Sequence, residues 1–147
     1  MGKRGETLIP MKVTLDVSLT AAWVLKDEDQ TKSLKILEKI LDGTLTLVQP
    51  ELWWVETLNL LKTATLRKRI TPKTALEALQ FLKEIPMKII PLSLVGQETV
   101  LQLSLDWGLT AYDATYVAVV LEEGAALGTW DKDLLALKGK EKRIQFL

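Results

Sequence analysis

The stretch TAYDATYVAVVLEEGAALGTWD, residues 110–131, limits what the chain can fold into more than any other part of it. Thr110 and Asp113 are spaced as the N-cap and N3 residues of a capping box, although Glu or Gln is more usual at N3. The helix they open is closed by Gly124, since glycine suits the left-handed conformation just past a helix end. The short apolar run AALGT then reads as a buried strand, which delivers a second acid, Asp131. A capped helix joined by one turn to a short buried strand is a unit of an α/β domain, where parallel strands are covered on both faces.

The rest of the chain repeats this alternation. KVTLD (12–16) is a β-branched strand ending on Asp16, and Ser18 sits in an N-cap position ahead of LTAAWVL. DEDQ (27–30) breaks that helix and starts the next, in which Leu34, Leu37, Ile40 and Leu41 recur at helical spacing. TLTLV (44–48) is a second strand. Pro50 and Glu51 start a helix reaching about Arg67, with Pro near the first turn, where its missing N–H costs little. Thr71 and Pro72 open another helix through about Lys83, with Leu76, Leu79, Phe81 and Leu82 apolar. MKIIPL (87–92) is a third strand, and Ser93 to Asp106 a helix ended by Gly108. After residues 110–131 come a short helix, DKDLLAL, and a last strand, RIQFL. The expected fold is a single α/β domain over 11–147, with a mostly parallel sheet between two helical layers. A flexible extension is expected over 1–10, and Met11 is an alternative start.

Composition removes many chemistries. The chain has no Cys and no His, so thiol nucleophiles, Ser-His-Asp catalysis and the usual zinc ligands are excluded. Any metal must be held by oxygen, which favours Mg²⁺ or Mn²⁺. With 19 basic and 19 acidic residues the net charge is zero, so bulk charge gives no argument for nucleic acid. No apolar run approaches the roughly 20 residues of a membrane span, and MGKRGETLIPMK lacks the apolar segment of a secretion signal. A cytoplasmic protein with no membrane partner is the expectation.

Four acids stand at element ends. In an open α/β sheet ligands bind beyond the carboxyl ends of the strands, where Asp16 and Asp131 would lie. Glu56 belongs to PELWWVETLNLLKTA, where Glu56, Asn59 and Thr63 form one narrow polar strip on a helix that is otherwise apolar almost all round. A carboxylate there is costly unless it is paired or coordinated. Each acid also has an ordinary structural reading: Asp16 closes a strand, Asp113 completes a cap, Asp131 or Asp133 caps the next helix, and Glu56 lies on a half-exposed strip. Together, clustered carboxylates repel unless cations lie between them. Two divalent ions about 3.5–4 Å apart would neutralise the cluster and clamp a phosphodiester for hydrolysis by metal-activated water, with no side-chain base required.

In that order KVTLDVSLTAAWVL, VQPELWWVETLNLL, LTAYDATYVAVVLEEGAAL and GTWDKDL resemble the PIN domain, over about residues 12–147. The subgroup they look most like is the VapC-like toxin ribonucleases of toxin–antitoxin pairs. The resemblance implies a parallel sheet sandwiched by helices and a Mg²⁺- or Mn²⁺-dependent endoribonuclease. It matches Asp16, Glu56, Asp113 and Asp131 to the family's acidic quartet, which is catalytic and metal-binding. Asp133 stands as a further acid near the metal, and Ser18, Asn59 and Thr129 match supporting polar residues. It also implies an RNA substrate, a homodimer and a cognate antitoxin protein.

Other readings stay open. The apolar WWVETLNLL helix fits a non-catalytic protein-interaction module on the same fold. A receiver-like phospho-acceptor domain would have clustered acids too, but AALGTWD offers no Lys at the end of that strand. Consecutive Trp53 and Trp54 cannot point the same way on a helix: one enters the core and the other reaches a second surface, or both lie in one large core. The basic runs RKR (67–69) and KGKEKR (138–143) either touch RNA phosphates or form solvated faces.

Overall fold

The computed structural model describes residues 9–147. The extension expected over 1–10 therefore lies, through residue 8, outside the described residues. Five strands form one parallel sheet: β1 (Met11–Leu15), β2 (Leu45–Pro50), β3 (Lys88–Ile90), β4 (Ala126–Gly128) and β5 (Gln145–Phe146), in the order β3-β2-β1-β4-β5. The helices are α1 (Val17–Thr20), α2 (Thr31–Leu41), α3 (Leu52–Leu66), α4 (Pro72–Lys83), α5 (Leu92–Val95), α6 (Gln97–Trp107), α7 (Ala111–Glu123) and α8 (Lys132–Leu135).

Side chains alternate across the strands and feed two cores, as period-2 geometry requires. On one face Val13, Leu15, Leu45 and Leu47 meet Ile36, Ile40, Trp53 and Leu82 from α2, α3 and α4. On the other Val48 and Leu127 meet Leu103, Val117 and Leu134 from α6, α7 and α8. Each such side chain, fully buried, contributes about 1.5–3 kcal/mol. The result is the expected three-layer α/β/α arrangement, with strands apolar on both faces because both faces are covered.

Several local expectations change. Ser18 is not an N-cap; Asp16 holds that position, and the helix it opens gives way after one turn to a 3-10 turn, Ala21–Trp23. Trp23 is drawn into the core there, its indole N–H donating to the Ser33 carbonyl at 2.8 Å. Pro50 ends β2 rather than starting α3. The helix expected over 93–106 is broken at Gly96, whose φ of 95° no other residue adopts easily. Of the four residues expected at helical spacing on α2, Leu37 and Ile40 are buried and Leu34 and Leu41 are exposed, and Ser33 and Ile36 complete the inward face. On α4 Leu82 is buried, but Leu76 and Phe81 are exposed. Nor is α3 buried all round: Val55, Leu58 and Leu66 are exposed, and Glu56 and Thr63 are half-buried. Trp53 is fully buried and its indole N–H donates to Thr20 Oγ1 at 3.0 Å. Trp54 is partly buried against it, ring centroids 4.8 Å apart at 65°, which places both in one core. Of the basic runs, Arg69 is bound by Asp27 in a two-point pair at 2.8 Å, and Arg143 is bound by Glu141. Those two cations are spent on structure. No helix among the described residues is long and apolar enough to cross a membrane.

β1 and β4 pair with Leu15 opposite Gly128. A Cβ on residue 128 would lie 2.5 Å from Leu15 Cδ2, with Leu19 and Leu147 also near. Leu15 is wholly buried, so its side chain would have to shift within a close-packed interior. Gly128→Ala should therefore destabilise the fold by about 1–3 kcal/mol through overpacking, read as a lower urea midpoint at unchanged slope.

Candidate functional site

The order of the sheet reverses at β1: the chain builds outward through β2 and β3, then returns to the other side of β1 with β4. Such a switch point leaves a crevice beyond the carboxyl ends of the two strands. Asp16 follows β1, and its backbone N–H donates to the Gly128 carbonyl at 3.1 Å. Thr129, Trp130 and Asp131 follow β4.

The loop after β4 is tied to α1 by one hydroxyl. Ser18 Oγ donates to Asp16 Oδ1 at 2.6 Å and accepts from the Trp130 backbone N–H at 2.9 Å. It also lies 3.4 Å from Thr129 Oγ1, and Thr129 Oγ1 in turn accepts from the Asp131 N–H at 2.8 Å. Asp131 caps α8: its Oδ1 accepts from the N–H groups of Asp133 and Leu134 at 2.9 and 3.2 Å. One oxygen of Asp131 thus holds the helix, and among the described residues the other has no protein donor. Asp133, the other candidate for that cap, does not fill it.

Asp113 enters from α7. Thr110 Oγ1 accepts from the Asp113 N–H at 3.1 Å, so the backbone half of the capping box forms, and the Thr110 side chain also acts on the Asp113 carboxylate, which faces the other acids. Carboxylate oxygens of Asp113, Asp131 and Asp133 come within 4.8 Å of one another. Asp16 and Glu56 stand outside that tight group, yet the charges of Asp131 and Glu56 act on Asp16, and those of Asp113 and Asp131 act on Glu56. The structure therefore gathers Asp16, Glu56, Asp113, Asp131 and Asp133 at one edge, with Ser18 and Thr129 among them. Asn59 stands apart: it is exposed one turn beyond Glu56 and, among the described residues, makes no hydrogen bond to any of these acids.

Three of the acids, Asp16, Glu56 and Asp113, hold protons more tightly than acids in water. Burial pushes Asp16 up to about 6, against the opposing pull of the Ser18 and Thr129 hydroxyls. Burial raises Asp113 to about 6 as well, and the negative charges of Asp131, Asp16 and Asp133 add to it. Glu56 is raised by burial, with a hydrogen bond from Tyr116 working the other way.

That hydrogen bond is the contact that reading the sequence for acids misses. Tyr116 is almost wholly buried, and its hydroxyl donates to Glu56 Oε1 at 2.6 Å. Burial and the Glu56 carboxylate together raise the phenol far above its ordinary range, so it stays a donor. A signal was there: Tyr116 lies three residues after Asp113, on the same face of α7. The donor set is all carboxylate oxygen, partly desolvated and mutually repelling. It fits a hard divalent cation of the Mg²⁺ or Mn²⁺ kind.

Comparison with known proteins follows this geometry. The model of the PIN domain matches residues 13–140. No curated protein matches the chain. Among solved structures, PAE2754 from Pyrobaculum aerophilum is similar, with 26% identity over 87% of this chain and 86% of that one and a TM-score of 0.59. VapBC2 from Rickettsia felis, bound to a DNA fragment from their promoter, has 14% identity over 93% and 98% of the two chains and a TM-score of 0.70. VapC20 of Mycobacterium tuberculosis, a sarcin-ricin loop cleaving toxin, has 17% identity over 84% and 93% and a TM-score of 0.58. At those two identities the likeness is one of fold alone. The family model covers four of the five strands in whole or part, both helical layers and every acid of the cluster, and the chain belongs to the PIN domain family.

Proposed function

We propose that the protein is a Mg²⁺- or Mn²⁺-dependent endoribonuclease, the toxin of a toxin–antitoxin pair. The observation that carries the reading is the meeting of Asp113, Asp131 and Asp133 within 4.8 Å, beside Asp16 and Glu56, at the switch point of a PIN-family sheet. The cation would be held by Asp16, Glu56, Asp113 and Asp131, with Asp133 at the periphery. When bound, it would neutralise the cluster, polarise a phosphodiester and supply a nucleophilic water near neutral pH. The chain's own part is orientation. Ser18 aims Asp16, the α8 cap fixes Asp131, and Tyr116 holds Glu56. Thr129 keeps the loop after β4 in place. The fold shared with VapBC2 and VapC20 supports RNA as substrate and an antitoxin protein as partner. We also propose a homodimer. The exposed Val55 and Leu58 of α3, and Leu101 and Leu105 of α6, provide apolar surface for such partners. The same exposed residues are what a non-catalytic interaction module would use, and the activity assay separates the two readings.

Purified protein should cut single-stranded RNA in Mn²⁺ or Mg²⁺ and not in EDTA, and Asp113→Asn should lower kcat by about two orders of magnitude. No cleavage by antitoxin-free wild type, or full activity in Asp113→Asn, would sink the proposal.

Without metal, the raised acids set a pH dependence of stability. The folded-state values of Asp16 and Asp113 lie near 6, above the ordinary 3.8. Their contribution to stability is complete below 3.8 and is lost as pH rises through 6. In EDTA the melting temperature should fall between about pH 4 and 6.5 and level off above, and it should fall less in Asp113→Asn. An equal fall in both proteins would show that the cluster does not set it.

Tyr116→Phe removes one hydroxyl and keeps the buried ring. It should weaken Mn²⁺ binding by about tenfold, measured by calorimetry, with little loss in a Glu56→Gln background. Equal losses in both backgrounds would mean that the hydroxyl acts elsewhere.

A further inference from the structure

Trp130 is the one tryptophan of the chain classed as exposed, at 46%. It stands between Thr129 and Asp131 and is held there by the bond from its backbone N–H to Ser18 Oγ, at 2.9 Å. The indole lines a hollow of about 370 Å³ with Ser18, Ala22, Glu28 and Asp29. Ser18 is shared: the hydroxyl that lines this hollow also binds Asp16 Oδ1. The hollow and the acid cluster are therefore neighbours along one surface. Lys32 Nζ lies 4.9 Å from the centre of the Trp130 ring, a cation–π contact that also brings a positive charge to the edge of the hollow.

The opposite wall is pre-organised. Arg69 grips Asp27 with two bonds at 2.8 Å and reaches Glu28 Oε1 at 3.4 Å. The Gln30 side chain donates to the Ala22 carbonyl at 2.7 Å, and Asp29 Oδ1 accepts from the Thr31 N–H at 3.0 Å. Glu28 and Asp29 thus each commit one oxygen to the fold. The second oxygen of Glu28 has no protein donor among the described residues, while the Thr31 hydroxyl also faces the Asp29 carboxylate.

We propose that this hollow is a nucleobase subsite that selects guanine beside the phosphate taken by the acid cluster. The proposal rests on the nuclease reading above. An exposed indole on a backbone fixed by Ser18, next to a phosphodiester site, is a stacking platform, and stacking serves any unpaired base. Selection comes from the far wall. Ionised carboxylates only accept hydrogen bonds. Guanine is the base whose Watson–Crick edge places two N–H donors side by side, at N1 and N2. Adenine and cytosine set a bare ring nitrogen beside their amino group, and uracil flanks its single N–H with carbonyls, so each would turn an acceptor toward a carboxylate. Lys32 offers the charge for the neighbouring phosphate, which the acids of the wall do not.

The test uses the Asp113→Asn protein in Mn²⁺ and end-labelled hexaribonucleotides that differ in one central base, with binding read by fluorescence anisotropy. The guanine oligonucleotide should bind tightest. Adding Trp130→Ala should weaken it about tenfold or more, and Trp130→Phe should keep most of the affinity. Adding Glu28→Gln with Asp29→Asn should bring the four oligonucleotides together. Unchanged melting and Mn²⁺ affinity in the Trp130 variants would assign the loss to the subsite rather than to the fold. Equal binding of the four bases, no binding of any of them, or indifference to Trp130→Ala would overturn the proposal. The two readings fail separately. Wild-type protein that cuts RNA without base preference removes the subsite and keeps the nuclease; Trp130-dependent guanine binding by a protein that never cuts RNA does the reverse.

Discussion

The close approach of β1 and β4 is the constraint on which the rest of the molecule depends. Leu15 occupies the space where a side chain at residue 128 would begin, so the two strands meet tightly at their carboxyl ends. One residue further on, that contact has set Asp16 against the loop that carries Thr129 and Asp131. The hydroxyls of Ser18 and Thr129 then convert proximity into fixed orientation.

A second constraint is electrostatic. The fold crowds carboxylates that would each be more comfortable in water, and burial raises Asp16, Glu56 and Asp113 together. It tolerates the crowding because three of the acids are anchored locally by hydrogen bonds. Asp131 is bound by backbone N–H groups at the start of α8, Glu56 by the Tyr116 phenol and Asp16 by Ser18. The same anchors leave oxygens turned toward one another. A cluster held apart from its natural relaxation, which is to swing outward into solvent, is poised for a cation.

Much of this was legible in the sequence, for physical reasons that differ from part to part. The capped helix and buried strand of residues 110–131 read correctly because caps and glycines act locally: Thr110 caps α7 and Gly124 ends it with a φ of 64°. The acids were visible because strand ends in a parallel sheet share an edge. What stayed hidden depends on contacts far apart in the chain. Periodicity found Leu37 and Ile40 on the inward face of α2 but not Ser33, which, though polar, is buried where Trp23 finds its carbonyl. Periodicity also gave α3 too much burial, since exposed Val55 and Leu58 look the same in sequence as buried ones. The fate of RKR was illegible because Asp27 lies 42 residues before Arg69. Tyr116 was passed over because an aromatic in an apolar helix reads as core, which it is, while its one polar atom serves Glu56.

The position of β1 has a consequence for how the molecule comes into being. It is the first strand described and the centre of the sheet, yet its right-hand neighbour, β4, begins only at Ala126. Asp16 therefore leaves the ribosome early and waits for Asp131, 115 residues later by the numbering of the chain. No fragment that stops short of β4 contains a complete acidic edge. A chain cut before β4 lacks Asp131 and Asp133, and the acidic edge is complete only once β4 lies beside β1.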